Sequence, residues 1–274
     1  MNPGSPPRRG IFAATIPSWC LHITENNDAR FRPAFARMLD LRYDWVRALV
    51  GVRSAPALRR VLSEGRHFRS KRRAGARALV KDPLALFSAE WLAANFAMRV
   101  VILIRHPAAF AASLKRLDWK FPFCELLAQP ELMRNHLSSF AEEIHHFDEH
   151  EQDIIDQAAL VWKLSHHVIA RYCESHPDWI FLRNEDLSRA PVDGFRALAG
   201  SLGIPWSDVL EERVRQYSDP SNPVDAPDGV VFQLKRDSRS NIDAWKRHLS
   251  PEEVRRVRES VDEVGACFYS EGDW

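Results

Sequence analysis

The clearest candidate for chemistry is an arginine at the end of an apolar run, followed eight residues later by a serine. The run Arg99–Ile104 is continuous and rich in β-branched residues, which predicts a strand buried on both faces. Arg105 follows it, and Pro107 suits the first turn of a helix that extends to about Leu117. Ser113 then lies less than two turns into this helix. A guanidinium at a strand end, free N–H groups at a helix start and a hydroxyl suit a phosphate group.

A second interpretation of the same residues is equally compatible with the sequence. In it, Arg105 pairs with a carboxylate such as Glu185 or Asp186, and Ser113 is only a small packing residue. The residue types alone do not separate this structural role from an anion site.

The elements around this motif alternate between strand and helix. Arg77–Lys81 is predicted to be a short strand stopped by Asp82-Pro83, and Leu84–Phe96 has the period of a helix. Strand, helix, strand and helix with short links form βαβ units, which predicts an α/β fold with a parallel sheet.

The rest of the chain contains further elements but no internal repeat. From Ala29 to Leu62 the apolar residues have helical spacing, and the basic run Arg66–Arg77 is typical of a solvated loop or helix end. The other predicted elements are a helix over Asp153–Cys173, a strand over Trp179–Leu182, a helix over Pro191–Leu202 closed by Gly203, a loop over Tyr217–Val230, and a helix that starts at Ser250 with a capping box. We expect a single domain over residues 1–274.

Composition and charge exclude several classes of protein. The 274 residues are 45% hydrophobic and 27% charged, as in a folded globular domain. The net charge of +1 provides no overall attraction to nucleic acid or to an anionic membrane, so any anion site must be local. No apolar run approaches the ~20 residues that a membrane span needs. The four cysteines are scattered, and no signal peptide is evident, which predicts a cytoplasmic protein.

The motif Arg105-His-Pro-Ala-Ala-Phe-Ala-Ala-Ser113 resembles the 3′-phosphate-binding motif of sulfotransferases that use 3′-phosphoadenosine 5′-phosphosulfate (PAPS). Three other segments are similar to the same family, in its bacterial branch. They are Leu79-Val-Lys-Asp-Pro83, Leu182-Arg-Asn-Glu-Asp-Leu187 and the stretch from Leu234 to Lys246. The resemblance implies a P-loop NTPase-like parallel sheet flanked by helices.

The resemblance also implies roles for individual residues in sulfuryl transfer from PAPS to a hydroxyl or amine of a small-molecule, glycan or lipid acceptor. Residues assigned to the nucleotide are Arg105, Ser113, Asn184, Arg236 and Arg239. Lys81 would face the sulfuryl group, and Asp82 is the only nearby candidate for the catalytic base. Neither a metal nor a nucleic-acid partner is implied.

The chain departs from the family at its beginning. Sulfotransferases start with a strand, a P-loop-like turn and a helix that hold the 5′-phosphosulfate. Gly4–Gly10 resembles that turn only superficially. Asn2-Pro3 resembles a segment that follows the loop in bacterial members. We therefore expect a fold without its first strand–loop–helix, weak nucleotide binding and little transfer by this chain.

Three alternatives remain open at the level of sequence. One is an inactive remnant of the family that binds the nucleotide, and another is a P-loop-like small-molecule kinase, for which no Walker lysine or Mg²⁺ ligands are found. The third concerns His146 and His150, whose spacing suits a metal but is more typical of a solvated acidic helix.

Overall fold

The computed structural model describes residues 11–12, 14–50, 52–227, 230 and 233–274. The chain divides into two compact units. Unit 1 comprises Met1–Met98 with Ala128–Leu132, and unit 2 comprises Arg99–Leu127 with Met133–Trp274. Because compact units need not fold separately, the single domain expected over residues 1–274 stays a prediction.

Helices make up most of the regular structure. In chain order they are α1 (Arg32–Leu39), α2 (Trp45–Leu49), α3 (Ala55–Arg73), α4 (Ala89–Phe96), α5 (Pro107–Leu117), α6 (Cys124–Leu127), α7 (Pro130–Leu132), α8 (Ala141–Glu149), α9 (Ile154–Ser175), α10 (Asn184–Arg189), α11 (Pro191–Ser201), α12 (Asp208–Ser218), α13 (Ser238–Asn241), α14 (Trp245–His248) and α15 (Pro251–Gly265). Short 3₁₀ turns cover Asp28–Arg30, Pro83–Ser88, Ser138–Phe140 and Glu271–Asp273, and a π turn covers Met133–Leu137. No helix in the described part of the chain combines the length and apolar character needed to cross a membrane.

Two strands pair in parallel in unit 2, as the sequence predicts. They are β1 (Val101–Ile104) and β2 (Ile180–Arg183), in a register that sets Val101 opposite Ile180 and Ile104 opposite Arg183. The chain between them crosses over through helices, which is how parallel neighbours are connected. The α/β class is therefore confirmed, with a sheet of two strands among the described residues.

The strand predicted over Arg77–Lys81 is wrong. These residues are irregular, and Leu79 is 89% exposed. The apolar stretch is only three residues long, and no described strand pairs with it, so its backbone gains nothing from an extended ladder.

The prediction that β1 is buried on both faces is also wrong. Ile102 and Ile104 are buried, whereas Leu103 between them is 57% exposed. Successive side chains point to opposite faces of a strand, so one face of this small sheet is covered and the other is open.

Most helix boundaries follow their local signals. Pro107 begins α5, Asp153 caps α9, and Ser250 forms the predicted capping box with Glu253 on α15. Gly203 has a φ of +62°, as expected of a glycine just beyond a helix end. The helix predicted over Leu84–Phe96 instead divides into a 3₁₀ turn and α4.

Each unit has its own apolar core. In unit 1 the core includes Phe12, Ile23, Phe31, Ala34, Phe35, Trp91 and Leu92. In unit 2, α5 packs against α9 and α15, and the α5 residues that are buried in this core are Ala108, Ala109, Ala111 and Ala112. Small side chains allow the helices to approach closely, so α5 has a firmly held position at the end of β1.

Candidate functional site

Arg105 and Ser113 meet beside the start of α5. The Arg105 guanidinium donates from Nη1 to Ser113 Oγ at 3.0 Å, and the Ser113 hydroxyl donates to the Ala109 carbonyl at 3.0 Å. The Trp162 indole N–H donates to the Arg105 carbonyl at 2.8 Å, which fixes the backbone where β1 ends. Within the described residues, no carboxylate lies within ion-pair distance of Arg105.

A buried carboxylate occupies the helix start instead. Glu185 accepts the His106 backbone N–H at 3.0 Å and the Tyr269 hydroxyl at 3.0 Å, and the His106 ring accepts the Ala108 N–H at 3.3 Å. The N–H groups of His106 and Ala108 are therefore engaged, contrary to the expectation of a free helix start. Glu185 binds the helix end rather than pairing with Arg105, so an anion here would depend on side chains.

Two further arginines, one on α5 and one just before α13, are held by backbone carbonyls. Arg116 donates to the Val230 carbonyl at 3.3 Å, and Arg236 donates to the carbonyls of Gln233 at 3.3 Å and Val224 at 3.4 Å. Carbonyl oxygens orient a guanidinium without cancelling its charge. No ion pair among the described residues engages either arginine, so no carboxylate offsets its charge at contact distance.

The three arginines act on one another electrostatically. Burial lowers the pKa of Arg105, and the positive charges of Arg236 and Arg116 lower it further, while Glu185 opposes them. Burial and the charge of Arg116 likewise lower the pKa of Arg236. An arginine stays protonated in proteins, so these directions mean that its charge is held at a cost. A bound anion would remove that cost.

Arg116 is a residue that the sequence reasoning missed. It lies three residues after Ser113, and residues at this spacing share one face of a helix. This spacing was the available signal. We define the arginine cluster as Arg105, Arg116 and Arg236, with Ser113 as its hydroxyl.

Asn184 and Arg239, also assigned to the nucleotide, lie on neighbouring elements. Asn184 begins α10 directly after β2, and the register pairs the preceding residue, Arg183, with Ile104 just before Arg105. The carboxyl ends of both strands thus lead to the same edge. Arg239 lies on α13, which packs against α10.

A cavity of about 320 Å³ is lined in part by His106, Arg183, Trp245 and Arg239. The His106 ring stacks on Trp245 with centroids 5.1 Å apart. Burial lowers the pKa of His106 to about 4, so this imidazole is neutral near pH 7. Arg239 is exposed, and no hydrogen bond or ion pair in the described part of the chain engages its guanidinium. The arginine cluster is not part of the described lining of this cavity.

Lys81 and Asp82 belong to unit 1. Lys81 is exposed in the irregular segment before a 3₁₀ turn. Asp82 caps that turn by accepting the Leu84 N–H at 3.0 Å. The structure thus gives Asp82 a capping role, and the catalytic role assigned to these two residues stays a prediction.

The other residues that the sequence singled out are a histidine pair on α8 and its end, and two segments near the start of the chain. His146 and His150 stack on each other with centroids 4.7 Å apart, and no group of three metal-ligating side chains occurs among the described residues. Asn2-Pro3 and Gly4–Gly10 lie outside the described residues. The expected lack of a first strand–loop–helix therefore stays a prediction.

Comparison with known proteins yields one distant similarity. No family model matches the chain, and no curated protein matches it. A solved structure that is similar is a "Sulfotransferase Domain from the Curacin Biosynthetic Pathway", with 15% identity over 82% of this chain and 78% of that chain and a TM-score of 0.42. A likeness this distant does not show the family.

Proposed function

We propose that this chain binds the 3′-phosphate end of PAPS at the arginine cluster and transfers the sulfuryl group to an acceptor hydroxyl or amine. The observation that carries the proposal is the pairing of Arg105 with Ser113 at the end of β1. Two more arginines act on Arg105 electrostatically, and neither forms an ion pair with a described carboxylate. The proposal also draws on the motif that these residues share with sulfotransferases.

The donor set fits a phosphate. Guanidinium groups bind phosphate oxygens through charge-assisted hydrogen bonds, and three of them can surround a dianion. The Ser113 hydroxyl now donates to Ala109, so it would rotate toward the ligand and exchange one acceptor for another. Asn184, at the same edge, would lie on the side of the nucleoside.

PAPS supplies the sulfuryl group and a phosphate leaving group. As the S–O bond breaks, negative charge grows on that phosphate, and cations near it would stabilise the transition state. Lys81 is the proposed cation for this end, and the acceptor needs a base, for which Asp82 is the proposed residue. Binding the 3′-phosphate at the arginine cluster would orient the nucleotide for in-line attack.

Calorimetry with adenosine 3′,5′-bisphosphate tests the binding step. Arg105→Ala should weaken binding by about 1.5–3 kcal/mol, the range for a hydrogen bond to a charged group. Arg134→Ala, an exposed arginine on another element, should leave the affinity unchanged. Equal affinity of wild type and Arg105→Ala would overturn the assignment of the cluster.

A transfer assay with radiolabelled PAPS and a panel of sugar and lipid acceptors tests the reaction. Product formation that Lys81→Ala abolishes, with nucleotide affinity retained, supports sulfuryl transfer and the role of Lys81. The observation that favours the second candidate, nucleotide binding without transfer, is that Lys81 is exposed in a segment that forms no strand. Tight binding without product for any acceptor would favour that candidate.

A further inference from the structure

A helix pair in unit 1 has a composition unlike the rest of the molecule. We call α2 and α3 the basic hairpin. Its two helices pack together, and the Trp45 ring occupies the space where a Cβ on Gly65 would lie. Tyr43, just before α2, contacts Trp45 edge-to-face at 5.1 Å and Phe68 at 5.7 Å. Aromatic contacts thus hold α2 on α3.

The outer surface of α3 is cationic. Its lysine and arginine side chains are all exposed and have no ion-pair partner among the described residues: Arg59, Arg60, Arg66, Arg69, Lys71, Arg72 and Arg73. Glu64 is the single acidic residue of the helix, and it accepts the Tyr43 hydroxyl at 3.1 Å. Burial together with this carboxylate raises the pKa of Tyr43 to about 12. The Glu64 carboxylate thus binds the residue just before α2, and the lysine and arginine side chains of α3 face solvent.

Large apolar side chains are exposed on the same helix pair. Val46 is 76% exposed, and the others are Trp45, Leu49, Leu58, Leu62 and, directly after α2, Val50. On α3, Leu58 and Leu62 are four residues apart, and Arg66, Arg69 and Arg73 continue the same flank at helical spacing. Leucines and arginines thus form one continuous stripe.

Two kinds of anionic surface attract a stripe of unpaired cations. A nucleic-acid backbone would neutralise the arginines but would leave the exposed valines and leucines in water. An anionic lipid surface accepts both, because headgroup phosphates meet the guanidinium groups and the acyl boundary takes the apolar side chains. The combination of charges and apolar exposure favours the lipid.

We propose that the basic hairpin binds the surface of membranes that contain anionic lipids, with Val46, Leu58 and Leu62 at the acyl boundary and the α3 arginines among the headgroups. This inference goes beyond the proposed function and does not rest on it. It describes a peripheral attachment, because the apolar side chains are too few to span a bilayer.

Co-sedimentation of the full chain with phosphatidylcholine vesicles, with and without phosphatidylserine, tests the proposal. We expect binding only to the vesicles with phosphatidylserine, weakened by added salt. The double variant Arg66→Gln/Arg69→Gln should reduce partitioning roughly 25-fold, since each basic residue near such a surface contributes about a factor of five. The matched control Arg134→Gln/Arg213→Gln removes two exposed arginines elsewhere that form no ion pair with a described residue, and it should bind like wild type.

A second variant pair tests the apolar part. Val46→Ser should weaken binding roughly 15-fold, since about two carbon groups lose their apolar environment. Val209→Ser, at a valine that is 74% exposed on α12, should have no effect. All six substituted positions are exposed, and circular dichroism checks that each variant is folded.

Several results would overturn the proposal. These are equal binding to both vesicle types, no binding to either, or equal losses in the hairpin and control variants. Retention of duplex DNA in a gel, lost in Arg66→Gln/Arg69→Gln while vesicles are not bound, would assign the surface to nucleic acid instead.

Discussion

Arginines gather in both units of this protein, but in different surroundings. On α3 in unit 1 they are exposed and have no hydrogen-bond acceptor among the described residues. Around α5 in unit 2, Arg105, Arg116 and Arg236 are half-buried and oriented by a hydroxyl and by backbone carbonyls. Exposed charges act over a Debye length and are screened by salt, whereas half-buried ones act strongly at one point. The same residue type thus suits an extended anionic surface in one unit and a compact anion in the other.

The largest expected effect is a loss of stability at acid pH, caused by the buried histidines of unit 2. Burial lowers the pKa of His106 from 6.5 to about 4 and that of His166 to about 3. Between pH 6.5 and pH 4 the unfolded chain therefore binds more protons than the folded one, so stability falls as the pH falls. The loss for His106 alone should be about 3 kcal/mol. Urea unfolding across this range measures it.

The variant His166→Gln serves as the control, because it removes one of the two buried imidazoles. Its free energy of unfolding should fall less steeply with acid than that of wild type. Parallel pH profiles for the two proteins would contradict a neutral, buried His166.

The packing of the basic hairpin can be broken at one glycine. A Cβ on Gly65 would overlap the Trp45 ring, so Gly65→Ala should destabilise the protein by about 1–3 kcal/mol, as overpacking does. In Gly200→Ala, on α11, the new Cβ meets nothing within 4 Å, and the variant should gain about 0.5–1 kcal/mol from helix propensity. Thermal unfolding distinguishes the two, and a stabilised Gly65→Ala would show that Trp45 does not pack there.

The next prediction concerns the contribution of Arg116 to anion binding at the arginine cluster. Arg116→Gln should weaken the binding of adenosine 3′,5′-bisphosphate by about 1.5 kcal/mol, roughly tenfold, because one charged donor is lost. Calorimetry against Arg134→Gln as control measures this difference. If both variants bind like wild type, Arg116 is not part of the site.

Ser113 should have the smallest effect. Ser113→Ala removes a neutral donor, and the affinity for the same nucleotide should fall by about 1 kcal/mol. Ser201→Ala is a matched control, since the Ser201 hydroxyl also donates to the carbonyl four residues earlier, at 3.1 Å. A loss in the control as large as in Ser113→Ala would indicate a general effect of the substitution.

The sequence predicted local structure correctly where the residues that determine it are only a few positions apart. Pro107 and Ser250 begin their helices because a fixed φ and a side-chain cap act on the next turn. Arg105 and Ser113 meet because Arg105 follows the end of β1 and Ser113 lies in the second turn of the helix that starts two residues later. The apolar runs of β1 and β2 likewise predicted strands, whereas their parallel pairing was predicted from a βαβ unit whose first strand, Arg77–Lys81, does not form.

Strand pairing and the contacts around α5 depend on residues that are distant in sequence, so they followed only from the tertiary structure. Arg77–Lys81 has a strand-like composition but forms no strand, because pairing needs a neighbour that local residues do not specify. The hydrogen bond between Glu185 and the start of α5, and the electrostatic effect of Arg236 on Arg105, join segments dozens of residues apart. The sequence determined which side chains can bind an anion. The packing of α5 against α9 and α15, with β2 beside β1, determined which of them meet, because burial and charge depend on neighbours that only the folded chain brings together.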